Sequence, residues 1–392
     1  MQRNKLFRIA TIPLSLEKLL GGQLAFMNQY YPVLAISSDN KRLERYGKKE
    51  GVKTHHISLS RKITPIKDLL AVWKLYVYLI KEKPLIVHSH TPKAGIIGMM
   101  AAFFGKVPIR IHTVSGLPLM ERKGSMLLLL KWIEKLTYHF ASQVYCNSFG
   151  LKSILINGKY IKSKKILVLN NGSSNGINTQ YFSSSHFSKE ELQQKKEELN
   201  IPKEDFVFVF VGRMVKDKGI NELVEAFINL QNASLINHHF SLLLVGPYED
   251  DLDPISEKTK KCILENPKII FTDYQDEVPI FYAISDVLVF PSYREGFPNS
   301  VMQAGAMGLP SIVTNINGCN EIIQEGKNGW IIPVKDTEAI FYAMQNCLMN
   351  QQQIIDMASY SREIMTSRHE QKEMWEAILA EYQRLEKELT NS

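Results

Sequence analysis

Short runs of apolar residues alternate along this chain with longer stretches in which apolar positions recur every three or four residues. In the first half the short runs are "LFRIATI", "VLAISS", "PLIVHSH", "PIRIHTV", "SQVYCNS" and "KILVLNN". Their length and bounding turn residues predict strands. Between several of them lie "IKDLLAVWKLYVYLIKE" and "SMLLLLKWIEKLTYHFAS", whose spacing predicts helices. Such alternation predicts βαβ units and a parallel sheet covered on both faces.

The rhythm breaks in the polar, Ser-rich and charged segment "YFSSSHFSKEELQQKKEELNIPKED" and then restarts with "FVFVFVGRM", "FSLLLVGP", "KIIFTDY", "DVLVFPS", "LPSIVTNI" and "GWIIPV". In "INELVEAFINL", Leu223, Ala226, Phe227 and Leu230 share a helix face. The fold expected is α/β: two Rossmann-like, doubly wound domains facing a cleft. The boundaries read as a first domain over 1–180, a linker over 181–203 and a second domain over 204–368. A final helix over 369–392 has a long apolar stripe, expected to bury against one or both domains. A chain of 392 residues suits two cores better than one.

Composition adds limits. Apolar content of 45% is ordinary for a globular protein. Four scattered cysteines, with no CxxC pair, read as reduced thiols rather than a disulfide or zinc framework. Arg8 and Glu17 interrupt the N-terminal segment, which therefore does not read as a signal peptide. The twelve-residue run "AGIIGMMAAFFG" is too short to span a bilayer. A cytoplasmic location, peripheral on the inner face of the membrane, is the expectation. Residues 1–180 hold 28 Lys+Arg against 8 Asp+Glu, whereas the remainder holds 19 against 32. That split points to an anionic membrane surface on the first domain's side. Residues 122–140 join Arg122, Lys123, Lys131 and Lys135 to Leu127–Leu130 and Trp132, the make-up of an interfacial helix. No aromatic platform is interleaved with the basic residues, so nucleic acid is not expected as a partner.

No GxGxxG follows a strand and no GxxxxGK[ST] occurs, which argues against dinucleotide-dependent dehydrogenases and P-loop enzymes. Open α/β sheets bind ligands at the carboxyl ends of their strands, and three features of the second half converge there. "VGRMVKDKGINEL" places Arg213 and Lys218 directly after a strand. "FPSYREGFPNS" places Gly296 where the backbone must approach closely, with Asn299 or Ser300 able to cap the helix that follows. That helix start is an anion site, so Glu295 beside it is better used on hydroxyls. Gln303 lies about one turn into the same helix. Each taken alone also suits a capped helix or ordinary loop charges. Together they describe a site for a sugar nucleotide.

These segments, with "PSYREGFPNSVMQAGAMGLPSIVTNINGCNEII", "VHSHTPKAG" and "LLGGQLAF", resemble glycosyltransferase family 4, whose members have the GT-B fold and retain anomeric configuration. Glu295 and Gln303 stand at the ends of what resembles its E-x7-E motif. The resemblance implies that Arg213 and Lys218 hold the donor pyrophosphate and that Glu295 contacts the donor sugar. Gly296, Phe297, Pro298 and Asn299 would form the phosphate-binding turn, Gln303 would meet the ribose, and Gly22 would belong to a loop closing over the donor. It implies no cofactor and no metal. The implied partners are a nucleotide sugar, UDP-linked, and a saccharide acceptor on polyprenyl diphosphate, in capsule or other surface-polysaccharide assembly.

Two departures stand out. Gln303 replaces the second glutamate, and a hydrogen bond to a neutral group is worth about 0.5–1.5 kcal/mol against about 1.5–3 for a charged one. Where family members carry a histidine near the donor sugar, this chain has Ser115, with His112 three residues earlier. The sequence does not tell which of the two, if either, takes over that catalytic place beside Glu295. The acidic run Glu249, Asp250, Asp251, Asp253 contains a D-x-D pattern but no adjacent cation, and reads as an exposed turn rather than a metal site. Rival functions are a sugar-nucleotide epimerase on the same scaffold and a catalytically silent sugar-nucleotide-binding subunit.

Overall fold

The computed structural model describes residues 4–60, 62–117, 124–233, 239–251 and 253–391; Arg122 and Lys123 therefore lie outside the described residues. The chain divides into two compact units, Met1–Gly176 together with Gln371–Ser392, and Ile177–Glu370.

The first unit carries β1 (Leu6–Ile9), β2 (Val33–Ser37), β3 (Lys53–His56), β4 (Ile86–Ser89), β5 (Ile109–Val114), β6 (Gln143–Cys146) and β7 (Ile166–Val168). They form one sheet in the order β3-β2-β1-β4-β5-β6-β7, with parallel pairings throughout, such as Leu6 opposite both Val33 and Ile86. Successive side chains alternate between faces, and along the central strands both faces are dry. Phe7, Ile9, Leu34, Ile36 and Val87 enter one core, which the helices Pro65–Glu82, Pro92–Phe104 and Gly124–Phe140 help to cover. Leu6, Val33, Ala35 and Ile86 enter the other. Double burial explains why these strands read as continuous apolar runs.

The final helix, Gln371–Thr390, lays Met374, Ile378, Leu379 and Tyr382 into that second core. It thus folds with the first unit, although it follows the second in sequence.

The second unit repeats the design with β8 (Phe206–Val211), β9 (Phe240–Val245), β10 (Ile269–Thr272), β11 (Val287–Phe290), β12 (Ser311–Thr314) and β13 (Gly329–Ile332). Their order is β10-β9-β8-β11-β12-β13. Residues 181–203, read from composition as a linker, lie within this unit. Phe182, Phe187, Leu192, Leu199 and Ile201 are spaced through the polar segment and pack on its core. The helix Lys189–Glu198 within it opens on a capping box between Ser188 and Glu191.

Candidate active site

In each sheet the strand order reverses direction once, at β1/β4 and at β8/β11, and open α/β sheets bind ligands beside such a point. In the second unit, β8 leads into Gly212 and Arg213 and on to the turn Lys216–Lys218. β11 leads into Pro291 and the run to Pro298. The two loops touch. Gly219 has φ +71°, and a Cβ there would fall 2.2 Å from the Pro291 carbonyl oxygen, so no other residue fits without moving the loops. The Tyr293 N–H donates to the Asp217 carbonyl at 2.8 Å.

This contact brings Lys218 to Glu295. Their side chains form an ion pair and each remains 15% exposed, so the pair is reachable from solvent. The Lys218 ammonium also lies 5.4 Å from the centre of the Phe290 ring, a cation–π distance. The Glu295 backbone is held from the other side, where the Asn317 amide donates to its carbonyl. Gly318 packs so tightly on Gly296 that a Cβ would meet the Gly296 oxygen at 2.6 Å. The segment "NGCNE" is thus the floor under the Gly296–Pro298 turn.

The helix that follows, Asn299–Ala306, has Pro298 at its N-cap position. The cap expected from Asn299 or Ser300 is not formed in that way. Proline offers no side-chain acceptor, and the Ser300 hydroxyl donates instead to the Val211 carbonyl at 2.7 Å, tying the helix start to the end of β8. Phe297 is buried, its ring 5.5 Å from that of His369. The Tyr282 hydroxyl, 3.0 Å from Gln303 Oε1 and 3.3 Å from the Ser300 carbonyl, anchors Gln303 on the helix. Burial raises the Tyr282 phenol far above its usual range, so it remains a hydrogen-bond donor. No motif marked Tyr282; only its place in the helix Pro279–Ala283 brings its hydroxyl to the E-x7-E-like helix.

Arg213 leaves β8 on the same side but turns to Glu249, with which it forms an ion pair. The acidic run thus has a basic partner, one that lies 36 positions away rather than adjacent in sequence. Parallel pairing of β8 with β9 puts the two loops side by side. Asp253 accepts the Asp217 N–H at 2.8 Å and Asp250 pairs with Lys260 at 3.0 Å, so the acidic turn braces the cationic loop. Among the described residues no group of three or more His, Cys, Asp or Glu is arranged to hold a metal ion.

In the first unit the Gly22 N–H donates to Glu50 Oε1 at 2.9 Å. Its φ is +77°, and a Cβ would sit 2.8 Å from the Trp375 ring. The glycine is thus required by the docking of the final helix, and its amide is engaged. His112 is buried beneath the helix Pro92–Phe104, where its ring fills the space beside Gly95. It meets Ser89 Oγ at 2.9 Å, and burial lowers its pKa to about 4, so it is neutral at ordinary pH. Ser115 follows β5, its hydroxyl buried without a hydrogen-bond partner among the described residues.

Across the sheet from His112 lies a polar cluster around His88 and His90, two histidines visible in sequence at a strand end, whose partners Arg8, Gln23 and Tyr382 sequence reading missed. Arg8, wholly buried, donates to His90 Nε2 at 3.0 Å, Tyr382 at 3.0 Å and Gln23 Oε1 at 2.5 Å. None of these partners is an anion, and burial lowers the Arg8 pKa. His88 bridges Tyr382, 2.6 Å from its Nδ1, and Thr113, 2.7 Å from its Nε2. Burial and the neighbouring His90 and Arg8 hold His88 neutral, as burial and Arg8 do His90. The signal for this cluster was the lone Arg inside the apolar run "LFRIATI".

One unit thus places Lys218, Glu295 and the turn 296–299 on adjoining loops at a switch point, with Arg213 and Gln303 on the flanking elements. The two sheets and their parallel order are those of GT-B glycosyltransferases. Residues 192–364 match the family Glycosyl transferases group 1, and residues 23–148 match Glycosyl transferase 4-like; this chain belongs to the glycosyl transferases group 1 family and is a glycosyltransferase. It is 33% identical over 390 residues, 99% of both chains, to the capsular polysaccharide biosynthesis glycosyltransferase CapM of Staphylococcus aureus. It is 31% identical to the UDP-Gal:alpha-D-GlcNAc-diphosphoundecaprenol alpha-1,3-galactosyltransferase of Escherichia coli, over 73% of this chain and 72% of the relative. Its fold matches that of Anabaena HepE, solved with UDP and glucose, at a TM-score of 0.81 and 17% identity over 97% of this chain and all of the other.

Proposed function

We propose that the enzyme moves a hexose-type sugar from a UDP-linked donor, with retention, to a saccharide carried on polyprenyl diphosphate during surface-polysaccharide assembly. The observation that carries this reading is the Lys218–Glu295 pair beside a helix start that no side chain of Pro298 caps. In the ligand-free chain the two charges neutralise each other. An arriving diphosphate competes for Lys218 and for the first-turn amides, which favour anions. Glu295 is then released to accept hydrogen bonds from sugar hydroxyls. Arg213 can exchange Glu249 for the same diphosphate. As the glycosidic bond breaks, negative charge grows on the leaving UDP, and cations preplaced there stabilise the transition state more than the ground state. The charge developing on the diphosphate thus has protein partners, and the reaction is expected to run without a metal ion. Gln303 faces the ribose, held by Tyr282.

The activity for which the E. coli relative is named, on a diphosphoundecaprenol-linked sugar, and the UDP held by HepE support the choice of acceptor and donor. With the final helix included, the first unit holds 31 Lys+Arg against 13 Asp+Glu, and the second 16 against 27. That imbalance supports an anionic membrane surface, on the cytoplasmic inner face, as the partner of the first unit.

Incubation with a panel of nucleotide sugars and lipid-linked acceptors tests the reading. Transfer yields free UDP and a larger glycolipid in EDTA as well as without it, with the donor's anomeric configuration in the product. An isomerised nucleotide sugar with no glycolipid would favour the epimerase, and no product at all a silent binder.

A further inference from the structure

The helix Pro65–Glu82 buries Ala71, Leu75 and Leu79 against the first unit's core. At about 100° per residue, those three positions define its inward face. The opposite face should be polar in a soluble helix. It is not: Ile66, Leu69, Leu70, Trp73, Val77 and Ile80 project there, with Ile66 80% and Trp73 62% exposed. Lys67, Lys74 and Lys81 recur every seven residues and form a row along one edge of this apolar stripe. The helix Gly124–Phe140 repeats the arrangement. Leu128, Leu129, Trp132 and Leu136 are exposed on it, flanked by Lys131 and Lys135. Both helices pack against the helix Pro92–Phe104, so the two stripes lie on one face of the unit. Single exposed apolar residues need no explanation, but a contiguous patch does.

We propose that these two helices together form a membrane-binding platform in which Pro65–Glu82 is the principal inserting element, its apolar stripe entering the acyl boundary of an anionic lipid surface. The inference rests on the acceptor reading above, which needs the enzyme at a bilayer, and assigns the contact to a helix that the charge argument did not identify. Charge decides the occupant. The only acids of the 65–82 helix are Asp68, paired with Lys93, and Glu82, paired with Lys5. The only acid of the 124–140 helix is Glu134, which is buried. The platform therefore presents lysines and apolar side chains with no free carboxylate, as interfacial helices do. A second copy docked on the same face would set one lysine row against another. No described helix is long and apolar enough to cross a membrane, so the contact is one of lying on the surface.

The test uses the full chain and vesicles of phosphatidylcholine with or without phosphatidylglycerol. One variant combines Ile66→Ser, Leu70→Ser, Trp73→Ser and Val77→Ser; another combines Lys67→Gln, Lys74→Gln and Lys81→Gln. All seven positions lie outside the candidate active site. The expected result is wild-type partitioning onto phosphatidylglycerol vesicles that the first variant lowers by about tenfold or more. The second variant should flatten its salt dependence. Both variants should transfer sugar to a detergent-dispersed short-chain acceptor at the wild-type rate. Brominated lipid should quench wild-type fluorescence more than that of Trp73→Phe, a readout that does not require the fourfold variant to fold. Partitioning of the fourfold variant equal to wild type, equal quenching with and without Trp73, or a wild-type dimer that the fourfold variant dissociates would each overturn the proposal. Absence of transfer by wild type to any acceptor would instead contradict the proposed function, and leaves the vesicle result readable.

Discussion

The two units share a strand order and differ in what they bury. Beside the switch point of the first sheet lie Arg8, Gln23 and His88, all out of contact with water. The middle of the second is Phe208, Val209, Phe210 and Val289, where Phe210 and Phe290 stack with ring centres 5.8 Å apart. A polar core holds only if every partner is present, because an unpaired buried donor or acceptor costs about 1–3 kcal/mol. An apolar core makes no such demand and leaves the charged groups to its loops. There they pair with one another, Lys218 with Glu295 and Arg213 with Glu249, in contacts that an incoming ligand can exchange. The first unit thus hides its cation inside the fold, and the second offers its cations at the surface.

The sharpest way to break this contrast is to remove one charge from each unit. Lys218→Ala or Glu295→Gln should lower kcat/KM by about 10²–10³-fold, the usual effect of losing a group aimed at developing charge. Unfolding stability should change less than on loss of the wholly buried Arg8, since both side chains still reach water. Arg8→Leu should do the reverse. It leaves Gln23, His90 and Tyr382 without their donor, and denaturant titration should show a loss of about 3 kcal/mol with UDP affinity unchanged.

A pH series sharpens the same contrast. Glu134 lies buried on the 124–140 helix, and burial raises its pKa to about 7, against a weaker lowering influence of the neighbouring Tyr138. The folded chain therefore holds a proton that the unfolded chain has released. Its share of stability is full below the ordinary carboxylate pKa and is lost as pH rises through about 7, by on the order of 3 kcal/mol. His112, lowered to about 4, tilts the other way, losing its share as pH falls from about 6.5 toward 4. The difference in unfolding free energy between wild type and Glu134→Gln, followed across pH, isolates the glutamate. A pH-independent difference would contradict its buried protonated state.

The smallest effect expected is at Gln303. Tyr282→Phe should raise the donor KM by about fivefold, equivalent to about 1 kcal/mol for one neutral hydrogen bond, with kcat little changed. Steady-state kinetics check this, and a kcat loss with unchanged KM would remove Gln303 from ribose binding.

Most of the fold was legible in the chain because doubly buried strands leave long apolar runs. The edge strand Lys53–His56 was not. Its sequence is "KTHH" and much of it faces water, so no apolar run marks it. The site was legible as far as a local motif reaches: "VGRMVKDKG" and "REGFPNSVMQ" put Lys218 and Glu295 on loops that the fold does bring together. What could not be read were pairings across loops. Arg213 with Glu249, Asn317 beneath Glu295 and Tyr282 under Gln303 join residues that are 36, 22 and 21 positions apart, and no periodicity encodes such distances. The Gly22 backbone makes the same point. Its positive φ was foreseeable from a Gly-Gly turn, but the Trp375 ring against it comes from the far end of the chain.

In the proposed function, Lys218 released from Glu295 holds the donor diphosphate on the second unit. Calorimetric titration of UDP into wild type, Lys218→Ala and Arg8→Leu addresses it directly. Lys218→Ala is expected to weaken UDP by tenfold or more, the equivalent of about 1.4 kcal/mol, whereas the folded fraction of Arg8→Leu binds as wild type does. Equal UDP affinity in wild type and a folded Lys218→Ala protein would contradict it.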